Sequence, residues 1–198
     1  MREHEVNKLD NFIMGWYMDD TSLCDRLIDY FENRAEQLPG QCAKGVDESF
    51  KKSTDALVLE EPLVKEYGNY LEHYSNLYKK AYPACNSYAP WRPIQYLQIQ
   101  KYKPSEAFYG WHTERSEGDG KIASRHLVFM TYLNDVTDGG ETEWMHQKIK
   151  VRPQKGLTFI WPVDWTFTHR GVPSPTEDKY ILTGWFNFIP RELHANNR

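Results

Sequence analysis

The sequence predicts a mainly β fold with N-terminal helices, and three observations lead to that expectation. Beyond Pro83, Pro90 and Pro93 the texture changes to short runs of aromatic and branched residues broken by turns. Ahead of them, apolar residues recur at three- and four-residue steps, which is helical spacing. Aromatic residues make up 15% of the chain, with 7 Trp and 13 Tyr, a supply suited to sheet cores and pocket walls. The expected shape is an antiparallel double-sheet barrel with helices packed on one outer side.

In order along the chain, residues 1–10 are a polar lead-in. Asp19-Asp20-Thr21-Ser22 predicts a helix start, followed by Leu23, Leu27, Ile28, Tyr30 and Phe31 at helical spacing; this helix is expected to reach about Gln37, before Pro39-Gly40. Residues 41–54 are loop-like and lead into Ala56-Leu57-Val58-Leu59. After Pro62 a longer helix is predicted from Leu63, Tyr67, Tyr70, Leu71, Tyr74, Leu77 and Tyr78 on one face. Eight strands follow as expectations: 94–102, 107–113, 126–133, 142–144, 148–151, 157–161, 166–169 and 180–189. The turn Asp138-Gly139-Gly140 needs positive backbone torsions. The glycine-rich loop Ser116 to Lys121 is a candidate lid. At 198 residues the chain fits one domain, 1–198, with 1–90 as a helical support region and 91–190 as the barrel core.

Composition narrows the function classes. The net charge is -4 and Lys and Arg are scattered, so no nucleic-acid footprint is evident. Cys24, Cys42 and Cys85 form no C-x-x-C and read as free thiols of a reducing compartment. The N-terminus lacks a signal-peptide pattern and no run is long enough to span a membrane, so a cytoplasmic location is expected. Neither a P-loop nor a dinucleotide glycine fingerprint is present.

Chemistry concentrates in three fragments: 109–114, 168–170 and 179–185. On a strand, period-two alternation points His112 and Glu114 to one face, where a ring nitrogen and a carboxylate oxygen converge on one ion. The same pair is also compatible with an ordinary exposed couple on a strand edge. His169 completes two histidines and a carboxylate, a facial arrangement that leaves open coordination positions. Arg125 reads either as a substrate contact or as a charge on an outer strand face.

In their order, Gln98-Ile99-Gln100-Lys101-Tyr102, Tyr109-Gly110-Trp111-His112-Thr113-Glu114, Tyr132-Leu133-Asn134-Asp135, Asp138-Gly139-Gly140-Glu141-Thr142-Glu143, Pro153-Gln154-Lys155-Gly156, His169-Arg170-Gly171-Val172 and Lys179 with Gly184-Trp185 resemble the prolyl 4-hydroxylase-like branch of the 2-oxoglutarate and iron(II)-dependent dioxygenases. The resemblance spans roughly residues 94–189. It implies a double-stranded β-helix, a cupin-like jelly roll, with iron(II) held by His112, Glu114 and His169. It implies Lys179 at the C5 carboxylate of 2-oxoglutarate, assisted by the Tyr102 hydroxyl. Tyr109 is then a pocket wall, while Tyr132 and Trp185 shape the pocket and exclude water. The implied activity consumes dioxygen and 2-oxoglutarate, hydroxylates a prolyl residue in a peptide or protein, and releases succinate and carbon dioxide. A small-metabolite substrate and a jelly-roll interaction module without metal chemistry are the alternatives. One departure stands out: the family pattern most often reads H-x-D, and this chain reads H-x-E, one methylene longer.

Overall fold

The structure, a computed structural model, describes residues 2–42, 45–93, 97–115 and 120–189. In chain order the elements are β1 (Met14–Tyr17), α1 (Ser22–Asn33), β2 (Leu38–Pro39), β3 (Thr54–Val58), α2 (Glu61–Ala81), β4 (Trp91–Pro93), β5 (Leu97–Tyr102), α3 (Gly120–Ala123), β6 (Arg125–Tyr132), β7 (Thr142–Trp144), β8 (Ile149–Val151), β9 (Leu157–Pro162), β10 (His169–Gly171) and β11 (Lys179–Phe188). Eight strands form one sheet in the order β1-β9-β6-β11-β5-β3-β2, with β4 added to β11, and β10-β7-β8 form a second. Their strand pairings are antiparallel.

Strand alternation decides what each face of the large sheet does. Leu97 and Ile99 of β5, Leu127 and Phe129 of β6, and Leu182 and Phe186 of β11 join a core cluster with the helices. The intervening residues Tyr102, Val128, Met130, Tyr132 and Ile181 turn the other way, into a second cluster with Trp144 and Val151 of the small sheet. Period two thus sorts one row of side chains toward the helices and the next toward the space between the sheets.

Both helices form where the apolar spacing predicts them. The α2 stripe buries Leu63, Tyr67, Leu71, Tyr74 and Tyr78, with Tyr74 stacked on Trp16 at 5.4 Å between ring centroids. At its start, Pro62 occupies the first turn, where a missing N–H is tolerated. The Tyr67 hydroxyl continues into a buried chain, 2.6 Å from Thr131 Oγ1, which lies 2.7 Å from Thr158 Oγ1. Helix α1 ends at Asn33, short of the expected Gln37, because Arg34 N–H and Ala35 N–H both turn back to the Tyr30 carbonyl. The chain then pairs Leu38–Pro39 with β3.

Elsewhere the strand expectations need correction. Residues 107–113 form no continuous strand; they touch their neighbours through isolated bridges at Phe108 and His112. Residues 165–167 make a 3-10 turn, and the strand begins only at His169. Strands β1, β2, β3 and β4 were not among the expected strands. Met14-Gly15-Trp16-Tyr17 lacks alternation, and Gly15 is required by packing, since a Cβ there would lie 2.8 Å from the Phe159 ring. The N-terminal region accordingly supplies β1, β2 and β3 to the large sheet as well as two helices. Residues 94–96 of the first expected strand and 116–119 of the candidate lid lie outside the described residues, and the lid's remaining residues open α3.

Replacing Tyr67 with Phe removes the hydroxyl that ties α2 to the sheet. The expected loss is about 1–2 kcal/mol, read as a lower urea midpoint with an unchanged slope.

Candidate active site

Two backbone hydrogen bonds bring the histidines together: His112 N–H donates to the His169 carbonyl and His169 N–H to that of His112, each at 3.0 Å. This bridge sets the two rings 4.3 Å apart between centroids. Each Nδ1 lies 3.0 Å from a carbonyl, that of Gly110 for His112 and of Phe167 for His169. A carbonyl only accepts, so each Nδ1 carries a proton, and each Nε2 is the nitrogen turned toward Glu114. Phe108 stacks on His112 at 3.6 Å and fixes the ring plane.

Glu114 follows on the same side. Its backbone N–H and that of Arg115 donate to the Val163 carbonyl, and the Thr113 hydroxyl donates there as well, at 2.6 Å. Oε1 lies 3.7 Å from His112 Nε2 and 3.4 Å from His169 Nε2. Adjacent ligands on a metal with bonds of about 2.1 Å stand about 3 Å apart, and the three donor atoms here all lie within 4.8 Å of one another. Burial pushes the Glu114 carboxyl up, but hydrogen bonding and charge from the two histidines outweigh it and hold the group well below the usual carboxylate range. Burial, and then the neighbouring His169, lowers His112. Once both Nε2 atoms are deprotonated, two imidazoles and a carboxylate are a donor set that ferrous iron accepts. Among the described residues, these are the only three His, Cys, Asp or Glu side chains gathered closely enough to hold an ion.

The three open onto a cavity of about 540 Å³. Its floor is the inward row of the large sheet: Lys179, Ile181, Thr183 and Trp185 from β11, with Gln98, Gln100 and Tyr102 from β5. Lys179 is 4% exposed, donates to the Gly140 carbonyl at 3.1 Å and lies 4.8 Å over the Tyr102 ring. It forms no ion pair among the described residues. Burial lowers its pKa to about 8, with Glu141 opposing that shift.

Of the residues singled out from sequence, His112, Glu114, His169, Tyr102, Lys179 and Trp185 all line this cavity. Tyr132 and Tyr109 do not. Tyr132 is fully buried in the core, with its hydroxyl on Thr142 at 2.7 Å. The Tyr109 hydroxyl donates to the Ser105 carbonyl at 2.6 Å. The Tyr102 hydroxyl donates to Gln100 Oε1 at 2.6 Å, so its proton is directed along β5 and away from Lys179.

Sequence reasoning missed the polar end of the cavity. Lys51 Nζ pairs with Asp55 Oδ2 at 2.6 Å, both nearly inaccessible, and Gln98 Nε2 donates to the same carboxylate oxygen at 3.1 Å. The signal was available: Gln98 and Gln100 alternate with buried Leu97 and Ile99, which places both amides on the face opposite the apolar one. Arg125 also lines the cavity, its guanidinium 3.5 Å over the Trp185 ring, and is not on an outer face.

A family model described as the 2OG-Fe(II) oxygenase superfamily matches residues 97–187, the stretch that supplies all three clustered donors and Lys179. Over this stretch the chain is similar to the 2OG-Fe(II) oxygenase superfamily. The protein is accordingly a dioxygenase whose cofactor and co-substrate are iron(II) and 2-oxoglutarate. No protein of curated function matches the chain. Solved structures share its fold at low identity. A viral collagen prolyl hydroxylase from Paramecium Bursaria Chlorella virus-1, in complex with 2OG, superposes with a TM-score of 0.68 at 19% identity, covering 90% of this chain and 97% of that one. A Pseudomonas putida prolyl-4-hydroxylase gives 0.70 at 15% identity, covering 90% and 96%. A Trichoplax adhaerens prolyl hydroxylase, in complex with a hypoxia inducible factor oxygen degradation domain peptide fragment, gives 0.66 at 15% identity, covering 98% and 90%.

Replacing Lys51 with Met leaves the Asp55 carboxylate buried without its cation. We expect a loss of about 3–5 kcal/mol in chemical denaturation, most of it recovered when Asp55→Asn is added.

Proposed function

We propose that the oxygenase holds iron(II) through His112, Glu114 and His169, binds 2-oxoglutarate against Lys179, and hydroxylates a prolyl residue in a peptide or protein, releasing succinate and carbon dioxide. The observation that supports this most is one cavity containing both the three-donor cluster and a buried lysine with no carboxylate partner among the described residues. A dianionic oxo-acid fits between such groups, with its keto-acid end toward the metal and its far carboxylate on the ammonium. Bound iron(II) supplies the oxygen-activating redox chemistry. One oxygen atom of dioxygen then ends in succinate and the other in the product hydroxyl.

The chain's residues do the rest. The Gly110 and Phe167 carbonyls keep both Nε2 atoms free to bind, and Phe108 and Trp161 wall the histidines from solvent. Trp185 borders the Glu114 side of the same space. Tyr102 packs its ring beneath the ammonium, an attraction between cation and π face. Tyr109 and Tyr132 have no part in this assignment, since their hydroxyls are engaged elsewhere.

The prolyl substrate is supported by likeness in fold to three prolyl hydroxylases, one of them holding a peptide. A second reading, a small polar metabolite, is favoured by the polar lining of Gln98, Gln100 and Lys51, the last paired with Asp55. Succinate release above the substrate-free background, with proline-containing peptides set against free amino acids and hydroxy acids, separates the two. We also read residues 1–198 as one domain in which 1–90 braces a cupin-like jelly-roll core over 91–190. Three free cysteines support a cytoplasmic setting. Among the described residues, no helix is long and apolar enough to cross a membrane.

Anaerobic titration with ferrous iron and then 2-oxoglutarate should give a weak visible charge-transfer band at one iron per chain, and His169→Ala should abolish it. A folded protein that gives no band overturns the proposal.

The pH dependence of co-substrate binding follows from Lys179. Its folded pKa of about 8 lies below the ordinary 10.5, so the ammonium is charged below pH 8 and increasingly neutral above it. The 2-oxoglutarate Kd, measured calorimetrically, should be flat below about pH 7 and weaken toward about tenfold per unit above pH 8. Lys179→Ala should weaken binding at pH 7 and remove that slope.

A further inference from the structure

The H-x-E spacing poses a mechanical problem. A glutamate has one more rotatable bond than an aspartate, and each additional torsion lets the carboxylate swing off the metal or turn to chelate with both oxygens. Chelation by both oxygens occupies a position that the oxo-acid or dioxygen needs. An aspartate needs less restraint, because its short arm keeps the carboxylate near the backbone.

The structure contains a restraint at this point. Trp185 Nε1–H donates to Glu114 Oε2 at 2.9 Å, while Oε1 is the oxygen facing both histidines. Arg125 supports the same carboxylate: its NH1 is 3.7 Å from Oε2 and donates to the Glu114 backbone carbonyl at 2.8 Å. The guanidinium stacks 3.5 Å above the Trp185 ring and presses the indole in place. Trp185 itself is set by β-pairing with Val128. Its inward direction follows from the same alternation that turns Lys179 toward the cavity.

We infer that Trp185, backed by Arg125, is a positioning residue that ties down the second carboxylate oxygen of Glu114 and makes the longer ligand behave as a one-oxygen ligand. This rests on the ligand set proposed above. The indole N–H is a donor only, so it selects an anionic oxygen and cannot be satisfied by a turned-away carboxylate. An aspartate at 114 carries its carboxylate one methylene nearer the backbone, away from the place where Oε1 faces the histidines and Oε2 meets the indole.

A double-mutant cycle tests the pairing. Cobalt(II), a redox-stable probe with its own visible spectrum, is titrated into wild type, Trp185→Phe, Glu114→Asp and the double variant, with thermal melting of each as a fold control. In the glutamate background, Trp185→Phe should weaken cobalt affinity about ten- to a hundred-fold. In the aspartate background the same substitution should change it less than about threefold. Equal losses in both backgrounds would mean that Trp185 only fills space, and no loss in the glutamate background would mean that it does nothing for the ligand; either result overturns the inference. Wild-type protein that binds no cobalt or ferrous iron defeats the proposed metal site instead, a separate outcome.

A second measurement does not depend on Trp185→Phe folding. In protein labelled with 15N-tryptophan, one of the seven indole N–H signals should move upfield and exchange faster on Glu114→Asp, as a charge-assisted hydrogen bond is lost. If no indole signal responds, the inference fails.

Discussion

The pair of backbone hydrogen bonds between His112 and His169 is the constraint on which the site depends. It joins a segment with no regular strand of its own, 107–115, to β10, and β10 is held in turn by β7 of the small sheet. The large sheet contributes Lys179 and Trp185 from across the cavity, and the helices cover that sheet's opposite face. Remote packing therefore reaches the chemistry. Tyr67, Thr131 and Thr158 fix the sheet on which the inward row stands, and a sheet that shifted would move Lys179 relative to the histidines.

Charge in the cavity is divided between its parts. Glu114 is held anionic near the two histidines, while Lys179 is buried at cost in the ligand-free protein and its pKa is pulled down to about 8. Lys51 and Asp55 pair with each other and contribute no net charge. A divalent cation at one end and a dianion reaching the other offset both imbalances at once. The lysine also has no rival donor of the expected kind. The Tyr102 proton goes to Gln100, whose Nε2 leans on Gln98 at 3.4 Å, which in turn donates to Asp55. The hydrogen-bond chain leads away from the ammonium, and the Tyr102 proton is committed to Gln100.

Period-two and helical patterning made much of this legible in the sequence. The Leu and Tyr stripe of α2 and strands such as β7 follow their apolar pattern because each buries a single face. The grouping was legible where residue type and spacing coincide: His112, Glu114 and His169 come together, and Lys179 lines the same cavity. What the sequence hid depends on partners distant in the chain. Met14–Tyr17 becomes a strand only because β9 lies beside it, and Gly15 gives no sign of the Phe159 ring that excludes a Cβ. Tyr109 and Tyr132 looked like pocket residues, but their hydroxyl partners, Ser105 and Thr142, are set by the turn and the facing sheet and not by local pattern.

The two ends of the cavity differ in construction, and this bears on specificity. Both expected anchors, the bridged histidines and the lysine of β11, sit on paired backbone, as reactions that tolerate little displacement require. The opposite wall is irregular: Gln41, Cys42, Asp47 and Phe50 come from the connection between β2 and β3. The volume of about 540 Å³ falls within the range of roughly 300–1,000 Å³ typical of pockets for drug-sized ligands. That leaves room for a second small group beside an oxo-acid. Loops accept insertion and substitution more readily than paired strands. The segment around Lys51 is thus the irregular part of the cavity wall, and the sheet row with the histidine bridge is its paired part.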